Sequence, residues 1–237
     1  MSDAFIKLPA GKLGDYYAPT WDILITAIPH RHATLRELLD NLDNQLREAD
    51  PDHLQVTVRI YRDNLTTPYG DKTRMLLDSS LATYVSCVDD DDLIAPGGVA
   101  RVLEALAEWP DYVGFVVGWT RDGQPQMRVE HSLRHPAWDN GADMLRRSVM
   151  QFNPIRREIA LAGRWWGGYE AERRWQQDVI RTGHCKREVW LPDPPVYLYR
   201  ESTADTFRSE RKAFAPEDIP PLPSYPWLRV FTAMDSV

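Results

Sequence analysis

Between residues 21 and 119, apolar runs with the period of a strand alternate with stretches of helical period, four strands with three helices between them. That order leaves few folds open. Trp21 to Ile28 is a short apolar run closed by Pro29, as expected of a strand covered on both faces. Behind it, Thr34-Leu35-Arg36-Glu37 has the form of a capping box. Leu35, Leu38, Leu39, Leu42 and Leu46 then share one helical face, and Asp50-Pro51-Asp52 ends the helix. Val56, Val58 and Ile60 alternate as in a second strand. Residues 71 to 81 read as a helix carrying Met75, Leu76 and Leu77, and Tyr84 to Val88 as a third strand. Pro96 opens a further helix with Val99, Val102, Leu103 and Leu106 inward, and Tyr112 to Trp119 is the fourth strand. The expected class is α/β, a mostly parallel central sheet with helices on both faces.

Past residue 120 the pattern loosens. Gly123 marks a turn before a strand around Gln126 to Glu130. Pro154 to Leu161 and Glu170 to Thr182 read as helices, separated by the Gly-Arg-Trp-Trp-Gly-Gly loop at 163 to 168. Val189 to Leu191 and Val196 to Tyr199 read as short strands, and the chain is proline-rich from Pro216 to Pro226. The expected division is an N-terminal extension over 1–20, one half over 21–119, a second over 120–200, and an extended arm over 201–237 laid on the body or used in assembly.

In open α/β sheets, ligands bind beyond the carboxyl ends of the strands. The polar clusters lie there: His30-Arg31-His32 after the first strand, Asp63-Asn64 after the second, and Asp89-Asp90-Asp91-Asp92 after the third. Two like charges 4 Å apart repel by about 4 kcal/mol at an effective dielectric near 20. Four adjacent carboxylates at the end of an apolar strand therefore call for a cation, and oxygen ligands suit magnesium, manganese or calcium. An EF-hand loop is excluded, since its alternate ligands, central glycine and terminal glutamate are missing. Two plainer readings stay open: a solvated turn with Asp92 capping the next helix, and a two-metal phosphatase or nuclease site.

A net charge of −7 argues against a general affinity for nucleic-acid backbone. Of the 28 basic residues only 5 are lysines, which leaves 23 arginines whose planar forks suit phosphate. Cys87 and Cys185 lack metal-site spacing. No apolar window is long enough for a signal peptide or a membrane span, so a cytoplasmic location is expected.

Gly70-Asp71-Lys72-Thr73-Arg74-Met75-Leu76-Leu77, followed by Ala82 to Val88 and the four aspartates, resembles glycosyltransferase family 2 enzymes of the GT-A fold. The likeness covers 21–119 well and 150–200 loosely. It implies a nucleoside-diphosphate-sugar donor of the UDP or GDP type and a divalent cation, Mn2+ or Mg2+. By position it places Pro29, His30, Arg31, Asp63, Lys72, Asp89 and Asp90 on the donor nucleotide and Asp91 on the metal. Thr73 and Arg74 stand where arginine and asparagine are common in the family. Ala171-Glu172-Arg173-Arg174-Trp175 resembles the family's Glu-Asp-Arg-x-Trp stretch, which makes Glu172 the general base, with Asp178 as the alternative. Leu198 stands where relatives often carry a metal-binding histidine, leaving His184 as a residue that could reach in. Trp119, Trp165 and Trp166 are candidates for stacking on sugar rings, the last two in a glycine-flanked loop able to close.

The resemblance thus implies an inverting transfer to an acceptor hydroxyl, the acceptor (polysaccharide, lipid carrier, protein or modified nucleobase) being left open. Two other readings remain at this point. One is a catalytically degenerate GT-A module that binds sugar nucleotide or serves assembly. The other is a nucleotidyltransferase, against which stands the lack of glycine in Ile28-Pro29-His30-Arg31-His32.

Overall fold

The computed structural model describes residues 18–168, 170–203 and 212–232. Most of the expected N-terminal extension, and residues 204–211 and 233–237 of the expected arm, lie outside the described residues.

The elements of the first half are β1 (Trp21–Ala27), α1 (His32–Ala49), β2 (Val56–Arg62), α2 (Tyr69–Ser79), β3 (Tyr84–Cys87), β4 (Leu93–Ile94), α3 (Gly98–Leu106) and β5 (Tyr112–Arg121). The second half adds β6 (Gln124–Pro125), β7 (Arg128–His131), β8 (Asp139–Asn140), β9 (Met144–Arg147), β10 (Ile155–Arg156), α4 (Arg157–Ala160), α5 (Ala171–Thr182), β11 (Glu188–Leu191) and β12 (Tyr197–Glu201). A last strand, β13, spans Leu228–Phe231. The sheet runs β13-β2-β1-β3-β10-β5-β7-β9-β8, with β11 and β12 laid parallel along β5.

β1 pairs in parallel with β2 and β3, and β13 pairs in parallel with β2, so the region nearest the polar clusters is a parallel sheet. Alternation along β1 sends Ile23 and Ile25 into one hydrophobic cluster and Leu24 into another. The first cluster holds the leucine stripe of α1 and the inner face of α3; the second holds Leu76 and Leu77 of α2 and Ala171, Trp175 and Val179 of α5. Helices therefore cover both faces. Leu35, Leu38, Leu39, Leu42 and Leu46 are all fully buried, each stabilising the fold by about 2 kcal/mol. No helix among the described residues is long and apolar enough to cross a membrane.

Two local expectations are corrected. The capping box over Thr34–Glu37 does not form: α1 begins at His32, after a 3-10 turn at Pro29–Arg31. Proline presets that turn, Arg31 N–H donates to the Ile28 carbonyl, and Thr34 Oγ1 donates to the Arg31 carbonyl, so the helix enters earlier. The helix expected over 154–161 is one turn, because Ile155 and Arg156 bond to β3 and β5 as β10. Antiparallel β10 thus separates β3 from β5, and the second half of the sheet is mixed. The C-terminal arm lies on the body. Tyr225 donates to Asp40 and Trp227 to Asp43, both on α1, before the chain joins the sheet as β13.

Candidate active site

The parallel strands end together, and short polar turns follow each. Successive aspartates after β3 point alternately. Asp90 and Asp92 are buried, whereas Asp89 and Asp91 are partly exposed. Asp90 turns toward β1, accepting from the Ile28 amide at 3.2 Å and from Arg31 Nη1 at 2.8 Å. The other arm of that guanidinium lies 2.7 Å from Asp91 Oδ2. Asp92 turns toward β12, where it accepts from the Tyr197 hydroxyl and the Arg200 amide, each at 2.7 Å. The same Tyr197 oxygen accepts from the Asp89 amide at 3.2 Å, and Arg200 Nε donates to the Asp91 carbonyl at 2.7 Å.

These contacts gather the acids, and Arg31 offsets Asp90 and Asp91 in part. One carboxylate oxygen from each of Asp89, Asp91 and Asp92 lies within 4.8 Å of the others. Glu172, in the first turn of α5, is near enough for its charge to bear on Asp89 and Cys87, and its carboxylate is hydrogen-bonded to Tyr69. Burial, then Glu172 and the neighbouring aspartates, push the Asp89 carboxyl well above the usual range. Burial and Asp91 raise Asp92 to about 8. Burial raises Asp90 to about 6 even against Arg31. Hard oxygen donors crowded at one point fit a divalent cation such as Mg2+ or Mn2+.

The junction of α2 with α5 sets Glu172 in place. Gly70 N–H donates to the Gly167 carbonyl at 2.8 Å, and Gly167 N–H to Asp71 Oδ1 at 3.0 Å. A Cβ on Gly70 would meet Ala171 Cβ at 2.7 Å and the Gly167 oxygen at 2.9 Å, so only glycine permits this approach.

Asp63 and Lys72 occupy the expected strand and helix ends but face each other. Lys72 Nζ lies 2.7 Å from Asp63 Oδ1, and Thr66 and the Thr67 amide donate to Oδ2. Burial alone would raise the Asp63 carboxyl; Lys72, the Thr67 amide and Thr66 outweigh it and hold it below its ordinary value. The pair ties β2 to α2.

The remaining expected residues divide. Pro29 is buried at the head of the 3-10 turn, and His30 is exposed beside it. Asp178 is not among the acids facing Asp89: Arg164 holds it at 2.7 and 3.0 Å and Arg181 at 3.2 Å, which keeps it ionised and occupied. His184 lies exposed beyond the far end of α5, whose last residue, Thr182, is ten residues and hence about 15 Å along the helix from Glu172. Leu198 packs toward Gly118. Trp165 is core: 4% exposed, stacked on Trp175 and edge-on to Tyr69, it is no part of a closing flap. Trp119 packs against the first cluster with Arg121 over its ring. Trp166 is 53% exposed under the Arg174 guanidinium. Sequence reading missed Tyr69, Tyr197 and Arg200. Only the place of Tyr197 in the strand read at 196–199, and of Arg200 just after it, pointed their way.

No protein-family model matches the chain, and no curated protein does either. Solved structures do match. S. aureus TarS 1–349 superposes with a TM-score of 0.50 at 11% identity, covering 76% of this chain and 60% of that one. TarS 1–349 in complex with UDP-GlcNAc gives 0.51 at 12% identity, covering 77% of this chain and 58% of that one. The chain thus spans about three fifths of the TarS piece it matches, and shares its α/β fold.

Proposed function

We propose that the chain is a metal-dependent, inverting glycosyltransferase of the GT-A type, which takes a sugar from a UDP- or GDP-sugar to an acceptor hydroxyl. The observation that carries this reading is the clustering of Asp89, Asp91 and Asp92 at the carboxyl edge of a parallel sheet, with the charge of Glu172 bearing on Asp89. The fold shared with TarS, which has been crystallised with UDP-GlcNAc, supports the donor class.

Asp89, Asp91 and Asp92 would hold the cation. When bound, it supplies charge neutralisation to the diphosphate leaving group. Arg31 fixes Asp90 and orients Asp91, while Tyr197 and Arg200 fix Asp92, so the acids are positioned before any ligand arrives. Glu172 takes the acceptor hydroxyl's proton as that oxygen attacks the anomeric carbon, and one in-line displacement inverts the centre. Tyr69, hydrogen-bonded to Glu172, orients the carboxylate. Asp178 is left out of this role by its two arginines. Among the described residues Trp166 is the exposed ring nearest in sequence to Glu172, and it offers a face to the acceptor.

The test is a thermal-shift screen of UDP, GDP, UDP-GlcNAc and GDP-mannose with and without Mn2+, followed by NMR assignment of the product anomer. Cation-dependent stabilisation by a nucleotide and an inverted product are expected. No stabilisation by any of the four would end the donor reading, and a retained anomer would end the single displacement. A second reading, a sugar-nucleotide binder without turnover, is favoured by one observation: the Arg31–Asp91 pair already places a protein cation on the acids. Binding without transfer or hydrolysis would select it.

A further inference from the structure

The geometry points to the C-terminal arm as part of the donor site, with Phe214 serving as a platform on which the donor's nucleobase stacks. This rests on the donor reading above and adds a residue to it.

One side chain seats Phe214. Asn64, next to Asp63 at the end of β2, donates from Nδ2 to the Phe214 carbonyl at 2.7 Å and accepts the Phe214 amide on Oδ1 at 2.9 Å. Both backbone polar groups of Phe214 are thereby held by a residue 150 positions away. The ring then meets His30 edge-on, with centroids 4.7 Å apart and planes at 73°. His30 precedes Arg31, whose guanidinium grips Asp90 and Asp91. Downstream the arm stays anchored, through Arg62 Nη1 on the Pro220 carbonyl at 2.6 Å and then Tyr225, Trp227 and β13.

Core packing does not account for this seat. Phe214 belongs to neither hydrophobic cluster and is 37% exposed, so part of this seated side chain remains open to solvent. It stands over the ends of β1 and β2, while the acids stand over the ends of β1 and β3. Neighbouring strand ends lie about 4.8 Å apart, so the ring and the acids are separated on the scale that divides a nucleobase from its own diphosphate. Base-on-aromatic stacking is tolerant of base identity. Asn64 spends both ends of its amide on the Phe214 backbone, which leaves the platform to supply affinity without choosing between bases.

Calorimetry with Mn2+ present tests this on wild type, Phe214→Ala, Phe214→Trp and Asn64→Ala, with UDP, GDP and inorganic pyrophosphate as probes. Phe214→Ala is expected to weaken each nucleotide that wild type binds by about tenfold, alike for UDP and GDP, and to leave pyrophosphate unchanged. Phe214→Trp should restore binding, and Asn64→Ala should weaken it in the same direction. Equal or tighter nucleotide binding by Phe214→Ala overturns the platform, the tighter case meaning that the ring blocks the site. So does a parallel loss of pyrophosphate. If wild type binds nucleotides and Phe214→Ala does not change them, only the platform falls; if wild type binds neither nucleotide nor pyrophosphate, the donor reading falls and takes the platform with it.

Discussion

Asp63 and the aspartates after β3 sit at the ends of nearby parallel strands, yet their surroundings differ in one respect. Asp63 is completed by the protein: a lysine on one oxygen, a hydroxyl and an amide on the other, and a carboxyl held below its ordinary value. Asp89, Asp91 and Asp92 are brought together by the protein, with Arg31 on Asp91 and Tyr197 and the Arg200 amide on Asp92, and their mutual crowding still drives Asp89 well above the usual range and Asp92 to about 8. A lone carboxylate matched by one lysine holds elements together. A cluster of carboxylates offers several oxygen ligands at one point, which is why the second set, and not the first, is the candidate for catalysis.

The contrast can be broken at either end. The largest effect is expected at Glu172, the acid whose charge bears on Asp89: Glu172→Gln should lower turnover by about 10²–10⁴-fold and leave nucleotide affinity near wild type, read by steady-state kinetics beside calorimetry. Next is Lys72→Met, which strands Asp63 as a buried charge and should cost about 3–5 kcal/mol in urea unfolding, with Asp63→Asn added to it recovering part of the loss. Gly70→Ala, at the junction carrying Glu172, should destabilise by about 1–3 kcal/mol through overpacking. Asp89→Asn should act the other way: without added cation it relieves repulsion and raises stability on the order of 1 kcal/mol, while abolishing stabilisation by Mn2+.

The smallest effect is a slope with pH. Because the folded state lowers the Asp63 carboxyl, its contribution is fully present above the unfolded value of about 3.9 and is lost as pH falls through the folded value. Acid unfolding of Asp63→Asn should lack that component, and identical acid profiles would contradict the closed pair.

Much of this architecture was legible because it depends on local periodicity. The α1 leucines show their burial by spacing alone, and each polar cluster follows from where an apolar strand stops. What escaped depends on partners distant in the chain. Asp63 and Lys72 lie nine residues apart, but that they face each other is a matter of how α2 docks on β2. Tyr197 reaches Asp92 across 105 positions and Arg200 across 108, and neither residue type declares such a role in a strand. Asp178 and Glu172 share one amphipathic helix; Arg164 in the preceding loop and Arg181 one turn on occupy Asp178 and so set the two apart. Trp165 and Trp166 are neighbours with the same side chain, and the packing of Trp175 makes one core and leaves the other exposed.

The central claim is that the clustered acids grip a cation and, through it, a diphosphate. Calorimetric titration of UDP and GDP, with Mn2+ and with a chelator, on wild type and Asp91→Ala addresses it most directly. At least one nucleotide should bind to wild type with Mn2+, its affinity falling by an order of magnitude or more under chelation and again in Asp91→Ala. Affinity that is the same in all three conditions would show that these carboxylates hold neither metal nor donor.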